Sequence, residues 1–325
     1  MCDLTGLFIF CILVYGLYFS CLFKKYKLLA FLMLLSIISA VFRGNSGIDT
    51  LLYINRFNSI NWENINLVEP ITQLLMLFSK SISNNFELFT LMHSALVSAL
   101  YFYIFIKYKN MRYFFISIFP VLYIDSIFNG LRVGLAYPLV ILSILRSSNF
   151  YYFLAILSHV SALLAVNKNQ IKKISIIFII FLILLLLMYD YESYIDRYSS
   201  KYFQYLEITT INVYSGIADF SMLLLISFVF FVRDKKSIFI YFFAFLPLLL
   251  IVFSLLNKYV FFIRILRLAG VILFSYSALS VKHNEKHKKM FFYLFSLFGF
   301  IYSANFVRQI SNSCHHPING FLPLG

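Results

Sequence analysis

Long apolar runs, separated by short polar stretches, organise this sequence. A helix needs about 20 apolar residues to span a bilayer, and several runs are shorter, so their ends must extend through interfacial Tyr, Ser and Lys. The pattern predicts an all-α, polytopic integral membrane protein with about ten transmembrane helices. The runs are Leu4–Phe23, Leu28–Phe42, Phe86–Ile106, Tyr113–Phe128, Leu131–Leu145, Ile174–Tyr189, Gly216–Val232, Ile238–Leu256, Leu268–Ser280 and Met290–Val307.

Clusters of basic residues between these runs predict the orientation, because Lys and Arg concentrate in cytoplasmic loops. We therefore expect a single transmembrane domain over residues 1–325, with its longer outer loops at about 43–85 and 190–215. The clusters are Lys24–Lys27, Lys107–Arg112, Lys168–Lys173, Arg233–Lys236 and Lys282–Lys289.

Placing all of these clusters inside requires an even number of crossings between Arg112 and Lys168. Tyr113–Phe128 and Leu131–Leu145 already supply two. The segment Phe150–Val166 is thus predicted to be a re-entrant hairpin with Ser158-His159 at its turn, and Ile71–Ser83 to be an amphipathic helix on the outer surface. Non-helical backbone at membrane depth needs protein or water around it, which predicts a cavity near His159.

The composition agrees with a membrane protein: 62% of the residues are hydrophobic and only 12% are charged, against about 25% charged in globular proteins. A net charge of +14 could indicate nucleic acid. Here the basic residues lie in short clusters between apolar runs, so we expect topology signals and anionic lipid instead. Metal and disulfide roles are not expected, because three of the four cysteines lie along one apolar run with no metal-site spacing and the fourth lies near residue 325: Cys2, Cys11, Cys21 and Cys314. No other cofactor is expected.

Arginines at the outer ends of the runs are candidates for binding a phosphate group. Arg132 follows Asn129 at the predicted start of a helix, where a guanidinium and the helix N-terminus both favour an anion. Arg264 and Arg267 have the spacing that places two residues on one side of a helix, and with Arg132 they could surround a diphosphate. The alternatives are an outer topology anchor for Arg132 and contact with lipid headgroups for the other two.

Other polar residues could transfer a proton or hold a sugar. His159, at the predicted turn, could accept a hydroxyl proton, although a packed core histidine is the alternative; His93, in the middle of a run, is expected to be structural. Asp49 and Glu69 could be acid–base groups, or could cap and begin helices. The Tyr-rich stretch Asp190–Tyr202 suits sugar rings or a membrane-interface belt.

Several motifs together resemble the EpsG/Wzy family of bacterial polysaccharide polymerases, over roughly residues 40 to 205. Arg43 before Gly47-Ile-Asp49 and Tyr53 is similar to the family's first outer loop, although Ile48 replaces the usual Thr. Phe128-Asn129 with Arg132 resembles Asn-x-x-Arg-Gln, with Val133 in place of Gln. The remaining likenesses are Glu69-Pro70, His159-Val-Ser161-Ala162-Leu163, Arg197-Tyr198 to Tyr202 and, more weakly, Arg264 or Arg267.

The resemblance implies a GT-C-like, metal-independent glycosyltransferase of the bacterial cytoplasmic membrane, with its active site facing outward. It would join repeat units carried on a polyprenyl diphosphate, beside membrane lipid, a flippase and a chain-length regulator, without nucleic acid. Arg132, Arg264 and Arg267 would bind the diphosphate, and His159 would be the base, with Asp49 or Glu69 behind it. The expected sugar ligands are Arg43, Tyr53, Asn129, Arg197, Tyr198 and Tyr202.

Two other functions fit the same composition. A flippase or another transporter of lipid-linked sugars would also be polytopic, but transporters commonly show internal repeats with paired broken helices, and only one broken segment is evident here. A ligase that moves a finished glycan to another acceptor would use the same chemistry as a polymerase.

Overall fold

The computed structural model describes residues 4–43, 50–65, 70–128, 130–159, 161–162, 260–279 and 288–313, with positions 221 and 225. Within these residues every regular element is a helix, as the apolar runs predict. Two short 3₁₀ turns, Trp62–Asn64 and Lys109–Met111, accompany the α-helices. The α-helices are α1 (Leu4–Leu22), α2 (Tyr26–Val41), α3 (Thr50–Ser59), α4 (Pro70–Ile82), α5 (Phe86–Lys107), α6 (Arg112–Ser117), α7 (Phe119–Phe128), α8 (Leu131–Leu145), α9 (Asn149–Ser158), α10 (Val260–Leu279) and α11 (Lys288–Ser313).

The chain forms two compact units. The first contains Met1–Ala162 and Phe274–Gly325, and the second contains Leu163–Leu273. In the first unit α1 packs against α2, α6, α7 and α11, while α5 packs against α2, α4, α7 and α8. The expectation of a single domain over residues 1–325 stays a prediction.

Two described helices are long and apolar enough to cross a membrane by themselves: Phe86–Lys107, and Lys289–Arg308 within α11. Their apolar composition suits a bilayer, and a helix also satisfies its backbone hydrogen bonds within one segment. This supports an integral membrane protein. The total of about ten spans stays a prediction, since most of the predicted runs beyond residue 166 lie outside the described residues.

The run Tyr113–Phe128, expected to be one crossing, is broken into α6 and α7. The two arms meet at a bend of 71° around Ile118. Pro120 has no amide hydrogen to donate to the carbonyl of Ile116, so the helical hydrogen-bond ladder is interrupted there. Gly299 of α11 packs against that carbonyl so closely that a Cβ would lie 2.0 Å from its oxygen. The bend thus combines a local proline with a close approach from a distant helix.

Helices α3 and α4 form a layer over one end of the first unit. Tyr53 and Phe57 of α3 and Met76 and Leu77 of α4 share an apolar cluster with Phe89 and Leu131. The helix predicted at Ile71–Ser83 is observed as α4, and its place on the outer surface stays a prediction. Its polar Thr72 and Gln73 face inward, while Leu74, Phe78 and Ile82 are exposed, an orientation that suits contact with lipid.

Lys80 connects α4 to the end of α3. Its ammonium donates to the carbonyls of Phe57, Asn58 and Ile60 at 3.2, 2.9 and 3.1 Å, and so caps the C-terminus of α3. We expect Lys80→Met to lower the free energy of unfolding by about 2 kcal/mol, because hydrogen bonds to a charged group are lost from helix-end carbonyls. The measurement is the apparent melting temperature of the purified protein in detergent. Lys109→Met, at an exposed lysine, is the matched control; equal melting temperatures for the two variants would contradict the assigned role.

Basic turns lie at the opposite end of the first unit. Arg146 donates to the hydroxyl groups of Tyr103, of Tyr108 at 3.2 Å and of Tyr151 at 2.9 Å. Asn110 donates to the carbonyl of Ala278 at 3.2 Å. Tyr26 packs on Phe105 with ring centroids 5.4 Å apart, and the guanidinium of Arg112 lies 4.2 Å from the ring centroid of Phe292. Basic turns predicted to be cytoplasmic therefore cluster at one end, with the α3–α4 layer at the other.

Candidate active site

The turn between α7 and α8 carries the Asn-x-x-Arg motif, and its hydrogen bonds can be followed one by one. A helix leaves its last four carbonyls without partners inside the helix. The amide of Gly130 donates to the carbonyl of Asp125 at 2.8 Å. The guanidinium of Arg43 donates to the carbonyl of Ile127 at 3.2 Å and to that of Phe128. The end of α7 is thus fastened by a side chain that lies 84 residues away in sequence.

Arg43 is buried just past the end of α2, with 1% of its surface exposed. Burial lowers the pKa of its guanidinium to about 10, against the opposing influence of Tyr53, so the group stays protonated at neutral pH. The structure therefore places a permanent positive charge behind the turn. Its role as a sugar ligand stays a prediction, because the contacts observed here are with backbone carbonyls.

His93 of α5 holds the other side of the same turn. Its Nε2 lies 2.6 Å from the carbonyl oxygen of Leu131, the first residue of α8. Since a carbonyl can only accept, Nε2 carries the proton. The ring is fully buried, and its centroid lies 6.0 Å from that of Phe89. His93 has a structural contact, as expected, and this contact supports the candidate site. No pattern around His93 in the sequence predicts Leu131 as its hydrogen-bond partner.

His159 follows the last residue of α9 and leaves the helix. Its backbone is extended, with φ −158° and ψ 128°, so the helix break predicted at Ser158-His159 is confirmed. The amide of Ser161 donates to His159 Nδ1 at 3.1 Å, and Ser161 Oγ lies 2.6 Å from the same nitrogen. Because Nδ1 accepts, the proton of the neutral ring lies on Nε2. Most of the return arm of the predicted hairpin lies outside the described residues.

Helix geometry relates the height of His159 to that of Arg132. Helices α8 and α9 are in contact and are joined by a short turn, so they run antiparallel. The 10 residues of α9 rise about 15 Å, which brings Ser158 level with the region of Leu135 in α8. The backbone of Arg132 is about one helical turn away from that level. Helix α9 also contacts α4, in the layer above the turn.

The remaining predicted site residues divide into two groups. Tyr53 is buried in α3, in the cluster that contains Leu131, and Arg267 is partly buried in α10 within the second unit. Arg264 belongs to the same helix; its side chain, like that of Arg132, lies outside the described part. Outside the described residues altogether are Asp49, Glu69, Asn129, Arg197, Tyr198 and Tyr202.

The first unit therefore brings Arg43, Tyr53 and His93 together around the α7–α8 turn. Helix α10 begins at Val260, so Arg264 and Arg267 lie within its first turns rather than in a loop before it. A cavity of about 270 Å³ opens at the basic end, lined by Lys107, Tyr108, Lys109, Asn110, Leu145 and Ala278. None of the predicted site residues that the structure describes lines that cavity, and the cavity expected near His159 stays a prediction. In the described ranges no three His, Cys, Asp or Glu residues are grouped as a metal site.

These features define an all-helical membrane protein in which a buried cation and a histidine fasten a polar turn between two helices. The chain belongs to the EpsG family, whose model matches residues 24–323; this is a Wzy-type family of polysaccharide polymerases. The resemblance found over residues 40 to 205 is confirmed and extends over nearly the whole chain. Searches of curated proteins and of solved structures returned no match.

Proposed function

We propose that the protein polymerises oligosaccharide repeat units carried on a polyprenyl diphosphate at the outer face of the cytoplasmic membrane. The growing glycan would leave its lipid diphosphate and move to the non-reducing sugar of the next unit. Family membership supports a polysaccharide polymerase in general. The observation that carries the finer proposal is the α7–α8 turn, where a helix N-terminus bearing Arg132 lies beside a buried cation.

The chemistry asks for stabilisation of a leaving diphosphate. As the bond between the anomeric carbon and the diphosphate oxygen breaks, the electron pair goes to the diphosphate. The first amides of α8 and the guanidinium of Arg132 would stabilise that charge, which counts for more in a site shielded from water. We include Arg264 and Arg267 as further diphosphate ligands. Guanidinium groups would then serve this step without a metal ion.

The acceptor hydroxyl must lose its proton as its oxygen bonds to the anomeric carbon. Asp49, Glu69 and His159 are the candidate bases. In the neutral ring of His159 the lone pair is on Nδ1, which already accepts from the Ser161 amide, and Nε2 carries a hydrogen. We therefore assign the proton to a carboxylate, Asp49 or Glu69, and assign to His159 a hydrogen bond donated from Nε2 to the substrate.

The sugars would be held by polar and aromatic groups of the outer loops. Tyr53, Asn129, Arg197, Tyr198 and Tyr202 are the proposed ligands, since aromatic rings pack on sugar faces while hydroxyl and amide groups bond sugar hydroxyls. A flippase would supply the lipid-linked units, and a chain-length regulator would set the length of the product.

Glycan analysis of a strain that lacks this protein tests the proposal. We expect each lipid carrier at the outer leaflet to bear a single repeat unit, because units are still delivered but are not joined. A plasmid copy of the intact chain should restore the polymer ladder. Repeat units trapped on the inner leaflet would instead identify a transport defect, and an unchanged ladder would exclude a polymerase role.

A further inference from the structure

The α7–α8 turn places two opposed helix ends side by side. α7 ends at Phe128 and α8 begins at Leu131. The last carbonyls of a helix carry a partial negative charge of about half an electron, and its first amides a positive charge of the same size. An anion at the start of α8 would therefore be attracted by α8 and repelled by the neighbouring end of α7.

Arg43 counters that repulsion at its source. Its guanidinium is bonded to the carbonyls of Ile127 and Phe128, the last two of α7. Of the two carbonyls before them, that of Asp125 accepts from Gly130, and that of Ser126 faces Gly134 so closely that a Cβ there would lie 2.4 Å away. Each carbonyl at the end of α7 thus has a neighbour, and two of them share a full positive charge.

His93 completes the support from the other side. Arg43 binds just before the Asn129-Gly130 link, and His93 binds just after it, at the carbonyl of Leu131. Both side chains are buried, with 1% or less of their surface exposed. Buried side chains that donate hydrogen bonds to backbone carbonyls restrict the arrangements open to that backbone. The orientation of the link and of the first turn of α8 therefore depends on these two contacts.

We propose that Arg43 is a positioning residue for anion binding: with His93 it sets the α7–α8 turn and neutralises the end of α7, so that the start of α8 and Arg132 can hold the substrate diphosphate. This inference rests on the proposed function for the identity of the anion. Arg43 itself does not touch the reacting atoms. Without Arg43, the unbonded carbonyls at the end of α7 would present negative charge to the phosphate.

Arg43→Lys is the sharpest test, because it keeps the positive charge but its ammonium ends one bond short of Nη1, the arginine nitrogen that bonds both carbonyls. We expect the affinity for a short-chain polyprenyl diphosphate, measured by titration calorimetry on the purified protein in nanodiscs, to fall about tenfold. The rate of polymerisation at saturating lipid-linked repeat unit should fall by a similar factor. In Arg43→Ala, added guanidinium ion should restore part of both, whereas ammonium ion should not.

Arg56→Lys is the matched control. Arg56 also donates to a backbone carbonyl, that of Asn64 at 3.0 Å, and to Gln73 at 2.7 Å, and both of these hydrogen bonds stay within the α3–α4 layer. This variant should bind the diphosphate as the unmodified protein does. If Arg43→Lys fails to fold, His93→Gln and His93→Leu supply the same comparison, since glutamine can still donate to Leu131 and leucine cannot; only the leucine variant should lose affinity.

The outcomes separate the two proposals. An unmodified protein that neither binds the lipid diphosphate nor extends the repeat unit would overturn the proposed function. An unmodified protein that does both, with Arg43→Lys and His93→Leu binding and reacting equally well, would overturn the positioning role alone. A lower melting temperature in Arg43→Ala, without recovery of binding on addition of guanidinium ion, would also overturn the positioning role, since that result describes a purely structural residue.

Discussion

Arg132→Ala should abolish the polymer and leave single lipid-linked repeat units accumulating at the outer leaflet. Arg132 is the second residue of α8, so its removal takes a guanidinium from the helix N-terminus at which we place the leaving diphosphate. Loss of one preorganised donor to a developing negative charge commonly costs about 100-fold or more in rate. The measurement is the extension of a defined lipid-linked repeat unit by the purified protein, together with the glycan ladder in cells.

Two further variants sharpen that result. Arg132→Lys retains the charge without the bidentate geometry, so we expect an intermediate rate. Arg308→Ala removes an exposed arginine that donates to Asn305 at 3.0 Å on α11, and its rate should match that of the unmodified protein. Polymer of normal length and amount from Arg132→Ala would remove this residue from the diphosphate site, whatever the behaviour of Arg43.

The helices that the sequence predicts well are those whose apolar run is bounded by polar residues. The run Leu4–Phe23 is observed as Leu4–Leu22, and Leu131–Leu145 is observed with the same bounds. The bend in the run Tyr113–Phe128 was not predicted, because the apolar pattern continues through it. Pro120 is a local signal for the break, but the direction of the chain after it also depends on Gly299, which no pattern near residue 118 reveals.

Part of the candidate site could likewise be predicted from the sequence, and part could not. Positions at which the chain leaves a helix could be predicted, because the basic clusters limit the number of crossings and so require a break near His159. The partners of buried groups could not. Arg43 and His93 each need a hydrogen-bond acceptor, and any exposed helix end could supply one. Only the packing of α2 and α5 against α7 and α8 selects Ile127, Phe128 and Leu131.

Gly134→Ala should impair both the stability and the activity of the protein. A Cβ at this position would lie 2.4 Å from the carbonyl oxygen of Ser126 and 2.8 Å from its Cα. These are backbone atoms of α7, so relief requires the two helices to move apart. Overpacking of this kind costs about 3 kcal/mol, measurable as a lower apparent melting temperature in detergent. Because Arg132 is in the first turn of the same helix, a displacement of even 1 Å should slow polymerisation about 100-fold at temperatures where the variant remains folded.

Gly130→Ala is the internal comparison, four residues earlier and in the turn itself. Here the nearest atom to a Cβ is the carbonyl oxygen of Asp125 at 3.7 Å, an ordinary contact, and φ is −101°, which alanine adopts without strain. The stability of this variant should lie within about 0.5 kcal/mol of the unmodified protein. If the two alanine variants behaved alike, close contact between α7 and α8 would not be what positions Arg132. A loss of stability and activity in Gly134→Ala alone would instead show that the activity depends on the close packing of α8 against the end of α7.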